Sequence, residues 1–448
     1  MKFITTTYFK DFARYFSFLE DEIDLRSKKE NVFFNISIYP CAHNFFISNN
    51  KHSIYLPSLR VNEEAYTLEK NNLLLEKLIR FNKKSLALYN KNYTVELKLQ
   101  ALKYLNILEP IFEREAFDFL ISSGDSRLLP SVVIYLAKKY SVKIIYFEQG
   151  PFNTTMIDEM GVNANVSFAP SLNKLTAEQI EKLNNFKTNY KNKQVKKYWY
   201  NYKFSTKERL NNLATLFLMY PPKLFLKKTP VDLQIGLSFQ SFFVEKIKSK
   251  FLFNTANHSE AEVEVLPKKY IGLYLQVPVD AQLIEHSPNY QCFYEMVKDV
   301  VDALPSGYAL IIREHPQYRN KYDNRIYDLI NNNPKIYLGN KVDLNNLLIN
   351  AEVNILNNSA VGIESLLLGT KVVTLGNSYY SNKGVTFDFY RGAPLSDLLS
   401  KAVNAEFNQE VVDSFLYELI FIFLSKGHFQ DDSLLFPKFP MALNKIFK

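Results

Sequence analysis

The sequence predicts an α/β protein made of two doubly wound, Rossmann-like domains that face a central cleft. Short apolar runs, typical of strands buried on both faces, alternate with helical patterns in 117–150 and again in 271–376. Polar residues follow several of these runs, at the place where open parallel sheets bind ligands. The chain has 448 residues, which is enough for two large domains with a core each.

The C-terminal half shows the alternation most clearly. Runs rich in Val, Ile, Leu and Tyr are each followed by a longer amphipathic stretch, which predicts βαβ units and a parallel sheet. The predicted strands are 271–278, 308–316, 335–339, 353–358 and 371–376, and the predicted helices are 291–304, 324–332, 344–351 and 359–369.

The N-terminal half repeats the pattern over 117–150. One apolar run ends at Gly124 and Asp125, a helical stretch follows, and a second apolar run ends at Glu148, Gln149 and Gly150. Because the carboxyl ends of parallel strands meet at one edge of a sheet, we expect these residues to lie close together.

These patterns divide the chain into three parts. Residues 1–262 are predicted to form an N-terminal α/β domain with a basic helical insertion at about 171–255. Residues 263–410 form the second α/β domain. Residues 411–448 contain a final apolar helix and a tail, which we expect to pack back on the N-terminal domain.

Composition excludes several classes of protein. Two cysteines are too few for a disulfide framework or a cysteine-based zinc site. The N-terminus lacks the apolar core of a signal peptide, and no apolar run reaches the roughly 18 residues of a membrane-spanning helix. We therefore expect a cytoplasmic protein. No Asp-x-Asp follows a strand and the histidines lack ligand spacing, so we expect no metal.

The net charge of +8 comes from one segment. Residues 182–209 contain nine lysines and arginines against Glu208 alone. Lysines interleaved with aromatic residues suit an anionic membrane surface, an anionic glycan or a nucleic-acid backbone, and a solvated helix can have the same composition. The apolar stretch at 210–228, which ends in lysines, favours a membrane-facing element.

Two motifs in the second half suit a nucleotide. Arg313 and His315 follow a predicted strand, and the proline after His315 keeps that residue extended, so its ring can reach a phosphate. Asn358, Ser359 and Ala360 lie where a strand gives way to a helix, whose free N–H groups attract anions. Glu364, one turn later, could accept hydrogen bonds from ribose hydroxyls. Capping of loops and of the helix is the alternative explanation for both motifs.

Two carboxylates at strand ends are candidates for catalysis. Asp280 follows an apolar strand that runs into Gln276, and a carboxylate there could act as a nucleophile or a base. The alternative is that Asp280 caps the next helix. Glu148 could act as an acid or base, or could simply pair with a lysine.

Taken together, the motifs resemble the bacterial capsule polysaccharide synthesis family of β-Kdo glycosyltransferases. That resemblance implies a GT-B-like fold and a metal-independent, retaining transfer of Kdo from CMP-Kdo, with no cofactor, to a surface polysaccharide or glycolipid. The matching segments, in chain order, are Gly124-Asp125-Ser126-Arg127, Phe147-Glu148-Gln149-Gly150, Gly161-Val162-Asn163, Gln276 to Asp280, His315-Pro316, and Ser359, Gly362, Glu364 and Leu366.

The resemblance also implies roles for individual residues. Asp280 would be the nucleophile that forms a covalent glycosyl-enzyme, and Glu148 would activate the acceptor hydroxyl. The residues expected to bind the CMP-sugar are Gln276, Arg313, His315, Asn358, Ser359, Ala360 and Glu364. Those expected on the acceptor side are Gly124, Asp125, Arg127, Gln149, Gly150 and Asn163.

Other functions remain open from the sequence. The donor could be another CMP-ulosonate such as CMP-sialic acid, and a CDP-polyol phosphotransferase of the teichoic acid type would use a similar fold. A nucleic-acid-binding function would explain the lysine cluster but none of the other motifs, so we expect no nucleic acid partner. We expect the transferase to be cytoplasmic and to touch the inner face of the anionic cytoplasmic membrane through 182–228.

Overall fold

The computed structural model describes residues 1–195 and 261–427, apart from positions 9, 28, 62–64, 89–91, 279 and 291, together with Leu443. The described residues form two compact units, one of 1–162 with 424–427, the other of 163–195 with 261–423. Each unit contains its own sheet and its own core, as the sequence predicts.

The first unit contains a seven-stranded sheet in the order β13-β6-β5-β4-β1-β2-β3. Its central strands are parallel and follow the Rossmann order, which places the change of winding direction between β1 and β4. The strands are β1 (Lys2–Thr7), β2 (Val32–Ser37), β3 (Ser53–Tyr55), β4 (Phe119–Ser123), β5 (Lys143–Gly150), β6 (Thr154–Asp158) and β13 (Ser425–Lys426).

Helices cover both faces of this sheet. Phe3 points to the face covered by the first two helices and stacks on Phe33 and Phe119 of the neighbouring strands, with ring centroids 4.6 and 5.4 Å apart. Ile4 points to the opposite face, where the other helices pack. The helices are α1 (Lys10–Arg26), α2 (Pro40–Ser48), α3 (Leu68–Leu78), α4 (Arg80–Ala87), α5 (Thr94–Glu115) and α6 (Leu128–Lys139).

The second unit contains a six-stranded parallel sheet in the order β12-β11-β10-β7-β8-β9. Read along the chain this is again the Rossmann order, so the winding direction changes between β7 and β10. The strands are β7 (Tyr270–Tyr274), β8 (Ala309–Arg313), β9 (Ile336–Leu338), β10 (Val353–Leu356), β11 (Lys371–Thr374) and β12 (Phe387–Asp388). The first five confirm the strands predicted from the sequence.

The helices of the second unit include the four predicted between its strands. Each begins and ends within two residues of its predicted bounds, and only α8 lies outside the prediction among those that connect strands β7 to β11. The helices are α7 (Ala177–Lys191), α8 (Ala281–His286), α9 (Phe293–Asp302), α10 (Asn324–Asn331), α11 (Leu344–Asn350), α12 (Val361–Leu367), α13 (Leu395–Asn404) and α14 (Gln409–Glu418).

The unit boundaries differ from the predicted domains in two places. Residues 163–195, which we assigned to the N-terminal domain of 1–262, belong to the second unit because α7 packs on α14. Glu418 of α14 also accepts both the amide and the hydroxyl of Ser171. The final helix likewise belongs to the second unit, and only from residue 424 does the chain join the first sheet, where β13 pairs with β6.

The basic segment is described only up to residue 195, so most of the predicted insertion at 171–255 lies outside the described residues. Within α7, Lys187 forms an ion pair with Asp413, and the Lys182 ammonium lies 4.3 Å from the centre of the Phe421 ring. Lys193 pairs with Asp343 at 2.9 Å. These lysines therefore hold α7 on its own unit, a structural role that the charge count alone did not predict.

Gly362 in α12 shows why one residue of the Ser-x-x-Gly-x-Glu pattern has no side chain. A Cβ atom built on Gly362 would lie 2.6 Å from the hydroxyl oxygen of Tyr380 and 2.7 Å from the ring carbon that bears it. Both distances are far shorter than a normal contact. Since the Tyr380 ring is fully buried, it has little room to withdraw.

We therefore expect Gly362→Ala to lower the free energy of unfolding by about 1–3 kcal/mol, the usual effect of overpacking a core. A helical Gly→Ala change without a clash normally stabilises a protein, by roughly 0.4–1 kcal/mol. Urea denaturation followed by circular dichroism would measure the difference. An unchanged or raised stability would show that Tyr380 moves away without cost.

Candidate functional site

The candidate site lies where the sheet of the second unit changes its winding direction. Gln276 follows β7 and Asn358 follows β10, and the two residues are joined by two hydrogen bonds. The Gln276 side-chain amide donates to Asn358 Oδ1 at 3.1 Å, and the Asn358 backbone N–H donates to Gln276 Oε1 at 3.2 Å. Both residues are almost fully buried. In open α/β sheets, ligands bind at this kind of crossing point.

Asn358 also holds the short helix α8 in place. Its side-chain nitrogen donates to the Gln282 carbonyl at 2.8 Å and to the His286 carbonyl at 3.3 Å. The His286 carbonyl in addition accepts the Asn377 amide at 2.8 Å. The loops after β7, β10 and β11 are therefore connected through one buried asparagine and one helix end.

Asp280 is the N-cap of α8, the structural alternative that the sequence left open. Its Oδ1 accepts the Gln282 amide at 2.9 Å. Burial raises the pKa of the Asp280 carboxyl, against the lowering effect of hydrogen bonds from the Gln282 amide and the Gln276 side chain. The capping bond fixes one carboxylate oxygen, so the direction of the other is set by the helix.

His315 lies at the end of the neighbouring strand β8. Its Nδ1 accepts the Gln317 amide at 3.2 Å, so the neutral ring carries its proton on Nε2. No partner of Nε2 is found within the part of the chain that the structure describes. Burial lowers the pKa of the imidazole, which favours this neutral form. The ring therefore offers one fixed N–H donor at the edge of the sheet.

Arg313 makes a contact that the sequence did not predict. Its guanidinium donates to the carbonyls of Gly339, at 2.7 Å, and of Val342. These bonds tie β8 to the loop between β9 and α11. A guanidinium has further donors, so the predicted role of Arg313 toward a phosphate stays a prediction.

The segment after β10 is arranged differently from the predicted helix start. Helix α12 begins only at Val361, and Ala360 is its N-cap without a side-chain cap. The Ser359 hydroxyl accepts the Val361 amide at 3.3 Å, and the Ser359 carbonyl accepts the Tyr380 hydroxyl. Glu364 is buried in the first turn. The helix that follows Ser359 and Ala360 has only seven residues. The predicted role of Ser359 and Ala360 toward an anion stays a prediction.

A polar pocket of about 310 Å³ adjoins α8 within the second unit. It lies beside the Asn358 network because His286 belongs to both. Asn, Ser, Tyr and Lys side chains dominate its wall, a lining suited to a hydroxyl-rich ligand. The lining residues are Ala164, Asn165, Val166, His286, Asn377, Ser378, Tyr379, Ser381, Asn382 and Lys383.

The predicted acceptor-side residues of the first unit lie around the end of β4. Gly124 has a positive φ of 78°, and a Cβ built on it would lie 3.7 Å from Glu148 Oε2. Burial raises the pKa of the Tyr146 phenol to about 12, and the nearby charge of Asp125 adds to this effect. The exposed Arg127 guanidinium lies 5.9 Å from the ring centres of both Tyr8 and Phe81.

Glu148, Gln149 and Gly150 do not lead into a crossover helix. Strand β5 continues to Gly150 and returns as the antiparallel strand β6, in a hairpin whose turn holds Phe152 and Asn153 in the left-handed region. Gly150 faces Thr154 so closely that a Cβ would lie 2.3 Å from the threonine hydroxyl. Glu148 therefore lies in a β-hairpin, where it pairs with Met156 on the opposite strand.

Asn163, the remaining residue predicted on the acceptor side, follows the first unit directly in the chain. It belongs to the second unit, in a short turn of helix at Asn163–Asn165 that contacts α8. Its positive φ of 56° is tolerated by asparagine and reverses the chain at the end of the Gly161-Val162-Asn163 stretch. The assignment of Asn163 to the acceptor side stays a prediction, made for a residue of the other unit than Glu148.

The described parts of 1–195 and 261–427 contain neither a cluster that could hold a metal ion nor a helix that could span a membrane. Neither range contains three or more His, Cys, Asp or Glu side chains grouped as a metal site would require. None of their helices is long and apolar enough to cross a bilayer.

The family model for capsule polysaccharide biosynthesis proteins matches residues 120–393. The chain belongs to this family. The match spans both units and includes every residue predicted for the site. The family resemblance read from the motifs is thereby confirmed.

Other known proteins are similar to parts of the chain. Protein FixF of Sinorhizobium fredii is 32% identical over 115 residues, which cover 25% of this chain and only 27% of that relative. The structure titled Thermosulfurimonas dismutans KpsC, beta Kdo 2,7 transferase, is 16% identical over 73% of this chain and 88% of that one, with a TM-score of 0.36.

A UDP-GlcNAc 2-epimerase from Methanocaldococcus jannaschii is 14% identical over 94% of this chain and 99% of that one, with a TM-score of 0.31. The two doubly wound α/β units agree with the GT-B-like fold class predicted from the sequence. This assignment rests on the strand order of the two sheets and not on these distant likenesses.

The hydrogen bonds from Arg313 to the Gly339 and Val342 carbonyls predict that loss of the guanidinium destabilises the protein. We expect Arg313→Met to lower the free energy of unfolding by about 2 kcal/mol, because two loop carbonyls lose a charged donor. Lys341→Met, on the same loop, removes only an exposed pair with Glu264 and should change stability by less than about 0.5 kcal/mol. Urea denaturation measures both variants. Equal small losses would show that Arg313 does not hold the loop.

Proposed function

We propose that this protein is a retaining glycosyltransferase that moves Kdo from CMP-Kdo to a surface polysaccharide or glycolipid. The observation that carries the proposal is the placement of Asp280 and His315 after neighbouring strands of the second sheet, beside the buried Gln276–Asn358 pair. A carboxylate and a neutral N–H donor at one sheet edge suit attack on a sugar carbon and departure of a phosphate. Family membership supports the same reaction.

The CMP moiety would bind along the carboxyl edge of the second sheet. His315 Nε2, with Arg313, would donate to the phosphate, and the backbone at Ser359 and Ala360 would add N–H donors. Glu364 would accept from the ribose. The adjoining polar pocket has the size and lining for the sugar or the base. Gln276 and Asn358 would also line the donor site, in positions fixed by the two hydrogen bonds between them.

The first chemical step would be attack by a carboxylate oxygen of Asp280 on the anomeric carbon. A carbon–oxygen bond to the carboxylate forms while the bond to the CMP phosphate breaks, and CMP leaves with the electron pair. Partial desolvation of the carboxylate makes it a better nucleophile, and donors at the phosphate stabilise the charge that develops there.

In the second step an acceptor hydroxyl would attack the same carbon. Glu148 would take the hydroxyl proton, a bond to the acceptor oxygen forms, and the bond to Asp280 breaks with return of the free carboxylate. Two inversions at one carbon give net retention. Gly124, Asp125, Arg127, Gln149, Gly150 and Asn163 would contact the acceptor in this proposal.

The proposal includes the partners and location expected from the sequence. The donor is the substrate CMP-Kdo, with no resident cofactor or metal assigned. The acceptor is a glycan or glycolipid, and contact with the inner face of an anionic cytoplasmic membrane is assigned to 182–228. Three lysines of this segment already pair within the second unit, which leaves the contact to the part after residue 195.

Asp280→Asn separates catalysis from capping. Asparagine caps a helix as well as aspartate does, so the melting temperature should stay within a few degrees of the parent. Release of CMP from CMP-Kdo should fall by at least about a thousandfold, because the amide is not a nucleophile. Asp323→Asn, which changes the N-cap of α10 in the same way, should retain full activity.

Three candidate donor substrates distinguish the proposed reaction from its alternatives. CMP-Kdo, CMP-sialic acid and CDP-glycerol are incubated in turn with the parent and with Glu148→Gln, and release of the nucleotide is followed. Intact-mass measurement of the Glu148→Gln sample should show one Kdo adduct, located at Asp280 by peptide mapping. Full transfer by Asp280→Asn would exclude a covalent intermediate on Asp280. Turnover of CDP-glycerol alone would show that the protein is a phosphotransferase and not a glycosyltransferase.

A further inference from the structure

Tyr322 joins the two loops that contain the candidate nucleophile and the candidate phosphate ligand. Its hydroxyl donates to the Gln276 carbonyl at 3.0 Å and accepts the backbone N–H of His315 at 3.2 Å. One oxygen atom thus connects the chain after β7 to the chain after β8. No sequence motif pointed to this tyrosine.

The position of this hydroxyl is fixed by packing. Tyr322 is 6% exposed, and its ring lies edge-on against Phe293, with centroids 5.4 Å apart, and against Tyr318, at 4.9 Å. A buried ring packed on two sides has little room to move its hydroxyl away from these two partners.

Tyr322 acts on the site from the side opposite to Asn358. The Gln276 side chain is held by Asn358, while its carbonyl is held by Tyr322. Gln276 begins the short segment that ends at Asp280. His315 begins a turn in which the Gln317 amide donates to the His315 ring and orients it. The Tyr322 hydroxyl therefore sets how far the first segment lies from the second.

We infer that Tyr322 is a positioning residue that sets the spacing between the Asp280 carboxylate and the donor phosphate held at His315. The inference rests on the proposed function. Each loop alone can still bind its part of the donor, so an error in spacing lowers the rate of bond breaking more than it weakens binding. A misplacement of about 1 Å can cost roughly a hundredfold in rate.

Tyr322→Phe tests this with the smallest possible change. We expect kcat for CMP release from CMP-Kdo to fall by about ten- to a hundredfold, while KM stays within about threefold. Tyr270→Phe is the matched control. Tyr270 is also buried in the second unit, and its hydroxyl donates to one backbone carbonyl, that of Leu347, at 2.7 Å, at the start of β7. It should lose stability without losing kcat.

Hydrogen exchange provides a readout that does not depend on activity. In Tyr322→Phe the His315 amide loses its acceptor, so a peptide containing that amide should exchange at least about fivefold faster. The same peptide should be unchanged in Tyr270→Phe. This result would separate a lost local contact from a general loss of stability.

The outcomes decide between distinct explanations. A kcat of Tyr322→Phe equal to the parent value, or equal losses of kcat in both variants, would overturn the positioning role. Unchanged exchange at His315 would overturn the hydrogen bond itself. If the parent releases CMP from none of the three donors, the proposed function fails and the role of Tyr322 in transfer fails with it, while exchange still reports whether the hydroxyl joins the loops.

Discussion

The reciprocal pair of Gln276 and Asn358 is the contact on which the second unit's site depends. Two side-chain amides are buried at the point where the sheet changes direction, and an unpaired amide there would cost about 1–3 kcal/mol. Pairing removes that cost and fixes the ends of β7 and β10 relative to each other. Asn358 then holds the Gln282 and His286 carbonyls of α8, which positions Asp280, the N-cap of that helix.

One residue can serve both structure and chemistry in such an arrangement. The Gln282 amide caps one oxygen of Asp280, the Gln276 side chain adds a hydrogen bond to the carboxylate, and burial raises its pKa. His315 repeats the pattern, since Nδ1 orients the ring through the Gln317 amide and Nε2 keeps its proton. The capping explanation and the catalytic explanation of these motifs are therefore compatible, and a stability measurement alone cannot distinguish them.

The sequence predicted what is local and missed what depends on distant backbone. Strands β7 to β11 follow from apolar runs, because burial on both faces leaves a simple pattern. The hairpin after Gly150 depends on left-handed backbone at Phe152 and Asn153, and phenylalanine gives no signal for that conformation. The contacts of Arg313 and Tyr322 join backbone carbonyls of other loops, and a carbonyl is present at every residue, so no residue type marks its position.

The abundance of tyrosine has a physical reason in the second unit. Its strand-end loops contain carbonyls and amides that face the core, and a phenol can fill apolar space while it satisfies such a group. Tyr270, Tyr322 and Tyr380 donate to the backbone carbonyls of Leu347, Gln276 and Ser359. Tyr274 and Tyr327 donate to the side chains of Asn354 and Glu314. A ring needs space, which explains Gly362 beneath Tyr380 and Gly272 beside Tyr274. Two of the thirteen glycines of this chain are thus placed by the tyrosines that hold the loops together.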